Sequence, residues 1–283
     1  MRQRRIGNRS VGEIGLGAMP MSVREHNDEE SAIATVKAAL EAEVTLIDTA
    51  DAYSPDESTF GHNELLVAKA MRQAGVTQGE VLVATKGGHT RKGTDWELDG
   101  RPEYLRQACV ASLERLDVEQ IDLYQHHRPD PAVPYAETIG GLKALLDEGL
   151  IAAAGLSNAD PDQIREAHGI LGDGLVSVQN QFSPAFRSSL PEIELCAELG
   201  LAFLAWSPLG GMSDAAELGA RWSAFAEVAR KHGVTPQQVC LAWELSLSEA
   251  VVPIPGASRP QSITDSVQAS ELRLDEEDLA ALG

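Results

Sequence analysis

Eight short apolar runs, each too short to be a helix, alternate along this chain with amphipathic stretches of helical period. The runs are 13–17, 45–48, 81–86, 120–127, 151–157, 175–179, 201–207 and 250–253. Between them lie helical patterns at 30–42, 63–74, 102–116, 136–148, 161–168, 190–199, a doubled region over 221–247, and 260–270. Strand–helix alternation of this kind implies a parallel sheet. Eight units within 283 residues predict one (β/α)8 barrel domain over residues 1–283, rather than an open doubly wound sheet. Ahead of the first run, 4–12 reads as a β-hairpin turning at Gly7-Asn8. Asp28 or Ser31, Asp160-Pro161 and Thr235-Pro236 supply helix-start signals where the pattern needs them.

The runs end on polar side chains. Leu46-Ile47 ends at Asp48, Val83-Ala84-Thr85 at Lys86, and Leu123-Tyr124-Gln125 at His126-His127. Gly155-Leu156 ends at Ser157-Asn158, Ser177-Val178 at Gln179-Asn180, and Ala205-Trp206 at Ser207. In a barrel these ends converge on the mouth where barrel enzymes place their chemistry. Strand ends also return to water, so one such residue means little; six in succession, two of them charged, point to a site.

Several chemistries are excluded or disfavoured. A chain with 43 acidic and 23 basic side chains, net −20, repels nucleic acid and anionic membranes. No run approaches the length of a membrane span. The basic start, residues 1–5, leads into no apolar segment, so no signal peptide is expected. Cys109, Cys196 and Cys240 are too far apart for a CxxC pair and read as reduced thiols of a cytoplasmic protein. Gly15-Leu16-Gly17-Ala18-Met19-Pro20 fails the dinucleotide fingerprint, and no phosphate-loop sequence occurs. No metal-ligand spacing accompanies His126-His127. Gly155-Leu156-Ser157-Asn158-Ala159 lacks the last glycine of a nucleophile elbow. Lys86 as a Schiff-base lysine is the serious rival.

In order along the chain stand Gly15-Leu16-Gly17, Leu46-Ile47-Asp48-Thr49-Ala50-Asp51-Ala52-Tyr53, Gly61-His62-Asn63-Glu64 and Thr85-Lys86. Asp122-Leu123-Tyr124, His127-Arg128-Pro129, Gly155-Leu156-Ser157-Asn158 and Gln179-Asn180-Gln181-Phe182 follow. Trp206-Ser207-Pro208-Leu209-Gly210 and Ile254-Pro255-Gly256-Ala257-Ser258-Arg259 complete the series. Together they resemble the aldo-keto reductase superfamily, and bacterial members of it in the stretch Gly17–Ser22. The resemblance implies a (β/α)8 barrel with an N-terminal hairpin and a catalytic tetrad of Asp48, Tyr53, Lys86 and His127. Strand alternation supports the choice of His127: it shares a face with Leu123 and Gln125, whereas His126 faces the helices.

The implied reaction is NADPH-dependent reduction of aldehydes and ketones, with NADH possible as cofactor. Tyr53 would donate the proton, with a pKa lowered by Lys86; Asp48 would hold the lysine charged, and His127 would orient the carbonyl oxygen. A carboxylate against Lys86 opposes the neutral lysine an aldolase needs.

For the cofactor, the resemblance implies Ser157, Asn158 and Gln179 at the carboxamide and Trp206 on the ring. Ser207, Leu209 and Gly210 would line the pyrophosphate, with Gly17, Asp48 and Gly256 beside the cofactor path. Ser258, Arg259, Ser262, Asp265 and Ser266 would meet the adenosine end, Arg259 favouring a 2′-phosphate. Ser262 and Ser266 depart from the commoner family residues. Met19, Tyr53, Trp96 and His127 are the candidate substrate contacts, and residues 87–96 are expected to be a long polar loop. The chain's end soon after a helix at 275–282 suggests an open mouth with broad carbonyl scope, pyridoxal-like substrates included. A monomer or weak homo-oligomer is expected. The alternative reading is a cofactor-binding regulatory subunit with little turnover.

Overall fold

In the computed structural model the described residues are 1–23, 28–77, 79–211 and 215–283. The chain opens with the antiparallel hairpin β1 (Gln3–Ile6) and β2 (Arg9–Gly12), with Gly7 at φ +57° in the turn. β3 (Leu16–Gly17), β4 (Leu46–Asp48) and β5 (Leu82–Gly87) follow. A second antiparallel hairpin, β6 (His89–Lys92) and β7 (Asp95–Leu98), interrupts the barrel series. β8 (Leu123–His126), β9 (Ala154–Ser157), β10 (Leu175–Gln181), β11 (Ala202–Trp206) and β12 (Val251–Pro253) complete it.

The eight barrel strands pair in parallel in the order β3-β4-β5-β8-β9-β10-β11-β12. The ring closes at a parallel bridge between Gly17 and Gly256, with Gly15 and Gly17 donating to the carbonyls of Pro253 and Pro255 at 2.9 and 3.0 Å. A Cβ on Gly17 would stand 2.9 Å from the Ile254 carbonyl oxygen, so this seam requires glycine. Gly17 and Gly256 therefore have a structural role at the seam, whatever they contribute to a cofactor.

Helices α1 (Glu29–Glu41), α2 (His62–Ala74), α3 (Pro102–Leu116), α4 (Tyr135–Asp147), α5 (Pro161–Leu171) and α6 (Leu190–Leu199) fill the crossovers. The doubled region resolves into α7 (Leu218–Arg221), α8 (Ser223–His232) and α9 (Pro236–Leu247), followed by α10 (Pro260–Gln268) and α11 (Glu276–Leu282). The start signals act as expected. Asp28 caps α1 by accepting from the Glu30 N–H, and Asp160 and Thr235 form capping boxes with Gln163 and Gln238.

Two cores result from strand alternation. Leu46, Leu82, Leu123, Val176, Leu204 and Val252 fill the barrel, plugged by Ile6 and Val11 of the hairpin. The opposite strand faces pack on the helices through residues such as Tyr124, Leu156, Val178, Phe203 and Trp243. This packing leaves the strand ends to carry polar groups. No helix among the described residues is long and apolar enough to cross a membrane.

The expectation of a loop over 87–96 is corrected: 89–98 is the β6–β7 hairpin. Its turn at Gly93-Thr94, with Gly93 at φ +58°, is pinned by reciprocal bonds with Glu57. The Arg91 guanidinium lies 3.5 Å over the Trp96 ring across the two strands and donates to the Ser54 carbonyl.

Candidate active site

Lys86, at the end of β5, is wholly buried, and its position forces every contact it makes. Its Nζ donates to Asp48 Oδ2 at 2.7 Å, to the Thr49 carbonyl at 2.9 Å and to the Tyr53 hydroxyl at 2.9 Å. All three donor positions of the ammonium are thus used. Asp48 ends the neighbouring strand β4, and its other oxygen accepts from Gln179 Nε2 at 2.7 Å and Gln125 Nε2 at 3.2 Å. Tyr53 lies on the loop after β4. That loop is held by Ser22, whose hydroxyl donates to the Tyr53 carbonyl at 2.7 Å, and by Thr49, which donates to Asn63 at 2.6 Å. His127 follows β8, its ring edge-on to Tyr53 at 5.6 Å between centroids and 81° between planes. Asn158, at φ +58°, fixes the His127 backbone by donating to its carbonyl at 3.0 Å. The structure brings the four proposed catalytic residues into one cluster.

The electrostatics follow from burial and pairing. Burial alone pulls the Lys86 ammonium down, but Asp48 and Tyr53 outweigh it and hold it above its ordinary value. A lysine held charged is a poor Schiff-base nucleophile, which removes the aldolase rival on physical grounds. Tyr53 corrects the sequence expectation. Burial pushes its phenol above the ordinary value, and the Lys86 cation offsets only part of that rise. The Tyr53 hydroxyl is therefore protonated at neutral pH. His127 is pushed well below its ordinary value, first by burial and then by the neighbouring His89 and the Lys86 cation. His126, buried and 6.4 Å from Tyr135 of α4, faces the helices as the alternation predicts.

The remaining candidates divide into two groups. Ser157 and Asn158 at the end of β9 touch each other, Asn158 Nδ2 donating to Ser157 Oγ at 3.0 Å. Trp206 ends β11 half-buried, with its indole N–H unpartnered. Ser207 (φ +51°), Leu209 and Gly210 (φ +88°) form the turn that follows. Ser258 and Arg259 are exposed ahead of α10; the Arg259 carbonyl accepts from the Ser262 N–H at 3.1 Å, and its guanidinium makes no hydrogen bond or ion pair among the described residues. Asp265 and Ser266 are committed inside the protein. Asp265 accepts from Gln238 Nε2 at 2.7 Å and Thr235 Oγ1 at 3.1 Å, and Ser266 bonds back to the Ser262 carbonyl at 2.9 Å. Gln179 likewise spends its amide on Asp48. Met19 is half-buried beside the β3 end, and Trp96 stands 41 % exposed on the second hairpin.

The sequence profile of the Aldo/keto reductase family matches residues 13–283. The protein belongs to that family. Membership makes it an oxidoreductase of carbonyls and alcohols with NADPH as its cofactor. The reductase is 37 % identical over an alignment 299 positions long to probable aldo-keto reductase 1 of Glycine max, covering 95 % of this chain and 84 % of the relative. It is 34 % identical over 283 residues to an uncharacterized oxidoreductase of Schizosaccharomyces pombe, covering 98 % and 88 %. A thermostable aldo-keto reductase crystallised with the inhibitor epalrestat superposes with a TM-score of 0.83 at 28 % identity, covering 100 % of this chain and 98 % of its own. An aldo/keto reductase of Klebsiella pneumoniae in complex with NADP and acetate gives a TM-score of 0.82 at 25 % identity, covering 99 % and 93 %.

Behind the tetrad the reductase holds a buried carboxyl pair that sequence reading missed. Glu64 accepts from Thr85 and pairs with Arg115, whereas both Asp51 oxygens are buried without a partner. Burial and the Glu64 charge push the Asp51 carboxyl well above the carboxylate range, against the pull of Arg115. Folded Asp51 therefore holds its proton to higher pH than in the unfolded chain, where it ionises above about pH 4. The folded state binds the extra proton, so this residue costs stability increasingly as pH rises from about 4 toward its folded value. Asp51→Asn has no such proton to lose and no charge to set against Glu64. Its Tm is expected to exceed wild type by at least about 2 °C at pH 8, with the gain shrinking toward pH 4. Calorimetry across that range checks this; a gain that grows toward acid pH is the contrary result.

Gln125, Ser22 and Asn63 also escaped assignment. Gln125 was accessible, since it shares the inward face with His127; Ser22 and Asn63 act through loop contacts that no spacing reveals.

Proposed function

We propose that this reductase converts aldehydes and ketones to alcohols with Tyr53 as general acid, in one barrel domain spanning the chain. The observation that carries this reading is the Lys86 ammonium, bonded at once to Asp48 and to the Tyr53 hydroxyl. Bound at the mouth, NADPH supplies the hydride to the carbonyl carbon. The residues around the mouth fit such a group. Trp206 offers a half-buried ring with an unpartnered N–H, the 207–211 turn has the positive φ values that let backbone approach a phosphate, and Arg259 is an uncommitted cation. Ser157 and Asn158 would meet the carboxamide, and Arg259 a 2′-phosphate.

Tyr53 delivers its proton to the carbonyl oxygen as negative charge develops there. Lys86, kept charged by Asp48, stabilises the phenolate left behind. His127, neutral, orients the oxygen from the other side. Lys86 is paired with Asp48; against a net charge of −20, the exposed Arg128 and Arg259 would receive an anionic cofactor.

Met19, half-buried, and Trp96, 41 % exposed, would offer apolar surface to a substrate, in keeping with broad scope for flat aromatic carbonyls, pyridoxal among them. Three free, buried cysteines suit a reducing cytoplasm. Purified protein with NADPH and a panel of aromatic aldehydes and pyridoxal, followed by nicotinamide absorbance, is expected to show turnover. NADPH binding without oxidation across the panel would instead mark a regulatory cofactor-binding subunit.

A further inference from the structure

The β6–β7 hairpin does more than border the mouth. His89 stacks on His127 with centroids 4.3 Å apart and planes 23° apart. On its other side His89 meets Trp96 at 5.1 Å, and Arg91 caps Trp96 at 3.5 Å. The hairpin turn is tied down by Glu57, and Arg91 by the Ser54 carbonyl next to Tyr53. A run of ring contacts, tilted by 58° at Trp96 and stacked at His127, therefore links the anchored hairpin to His127.

His127 needs such support. Its Nδ1 is buried with no hydrogen-bond partner among the described residues, so none of their carboxylates or carbonyls fixes its ring. Asn158 holds only its backbone, and Tyr53 touches only its edge. Both nitrogens of His89 are buried and unpartnered as well. A ring that is desolvated without hydrogen bonds contributes through its face, and that face lies on His127.

We propose that His89 is a positioning residue, which fixes the plane of the His127 ring through stacking and couples the protonation of the two imidazoles. The inference rests on the assignment of His127 as the group that orients the carbonyl. The charged neighbours reinforce the coupling. His89 faces Arg91 on its own hairpin, Arg128 after β8 and Lys86 on β5; His127 faces His89, Lys86, Arg128 and His126. These neighbours are cationic or protonatable to cations. Asp48 is occupied by Lys86, and Asp130 and Asp56 act on His126 and Arg91. A proton on His127 is thus opposed by one on His89, and burial, with Arg128, Arg91 and Lys86, brings His89 down to about 4.

The test compares His89→Ala, which opens the stack, with His89→Phe, which keeps a ring and removes the titrating group. Neither deletes a hydrogen bond, so both are expected to fold. In His89→Ala, kcat for an aromatic aldehyde is expected to fall about 10-fold with little change in KM, as for a misplaced catalytic group. By histidine NMR, His127 should titrate at higher pH than in wild type, because water enters and the neighbouring ring is gone. His89→Phe should restore kcat to within about 3-fold of wild type. A His127 titration unchanged in His89→Ala, or a His89→Phe enzyme as slow as His89→Ala, overturns the proposal. The NMR arm needs no turnover, so it decides this point even if wild type proves inactive and the assigned reaction fails.

Discussion

Tyr53→Phe is expected to lose about 10²–10⁴-fold in kcat for carbonyl reduction, the range that general acid catalysis supplies. The change removes one oxygen and little else. The hydroxyl accepts from Lys86 at 2.9 Å, and its loss leaves the ammonium with Asp48 and the Thr49 carbonyl. The Tyr53 backbone stays tied to Ser22, and the ring still meets the His127 edge. Fold and cofactor affinity should therefore survive, so that the whole effect falls on the proton. Burial, the larger influence on Tyr53, keeps it protonated beyond the ordinary tyrosine value of about 10. Reduction by wild type should accordingly show no loss from Tyr53 ionisation between pH 6 and about 9. Steady-state rates by nicotinamide absorbance, set beside cofactor binding by Trp fluorescence, separate the two quantities. A Tyr53→Phe enzyme within ten-fold of wild-type rate would remove Tyr53 from the role of donor.

The barrel and the polar strand ends were legible because both depend on local pattern, whereas the tetrad as a set, Tyr53 included, came from the family resemblance. A parallel strand buried on two faces reads as an apolar run, and a polar residue finishing that run marks the mouth. Asp48, Lys86 and His127 are of this kind. The β6–β7 hairpin was not legible, since Thr90, Arg91, Lys92, Asp95 and Glu97 bury no apolar face and leave no alternation to read. Only its Gly93-Thr94 turn and the aromatic on its return strand signalled it. Asp265 and Ser266 show another limit. The Asp265 partner Gln238 is set by how α9 and α10 pack, which sequence separation does not reveal, whereas Ser266 bonds back one turn within α10 to the Ser262 carbonyl. The Tyr53 phenol shows a third. The sequence revealed its cation but not its burial, and burial determines the direction of the shift.

Lys86→Met should be the most damaging single change to stability. It leaves Asp48, 2 % exposed, as a buried carboxylate with two glutamine donors and no countercharge. Breaking a buried pair by removing one partner typically costs about 3–5 kcal/mol, which in a chain of this size lowers Tm by on the order of 10 °C. Asp48→Asn strands the ammonium instead and should cost a comparable amount. The double variant should recover most of the loss, because replacing both members of a buried pair is often near neutral. The cycle of four proteins thus separates the coupling from the cost of burial. All three variants should be inactive, so stability and catalysis part company in the double variant. The pH dependence has a definite sign. Lys86 is raised above its unfolded value of about 10.4. Its contribution is fully present below that pH and is lost as pH rises through the folded value. Wild type should therefore lose stability at strongly alkaline pH more steeply than the double variant. Thermal melts that show additive single effects, with no recovery in the double variant, would mean the pair contributes nothing as a pair.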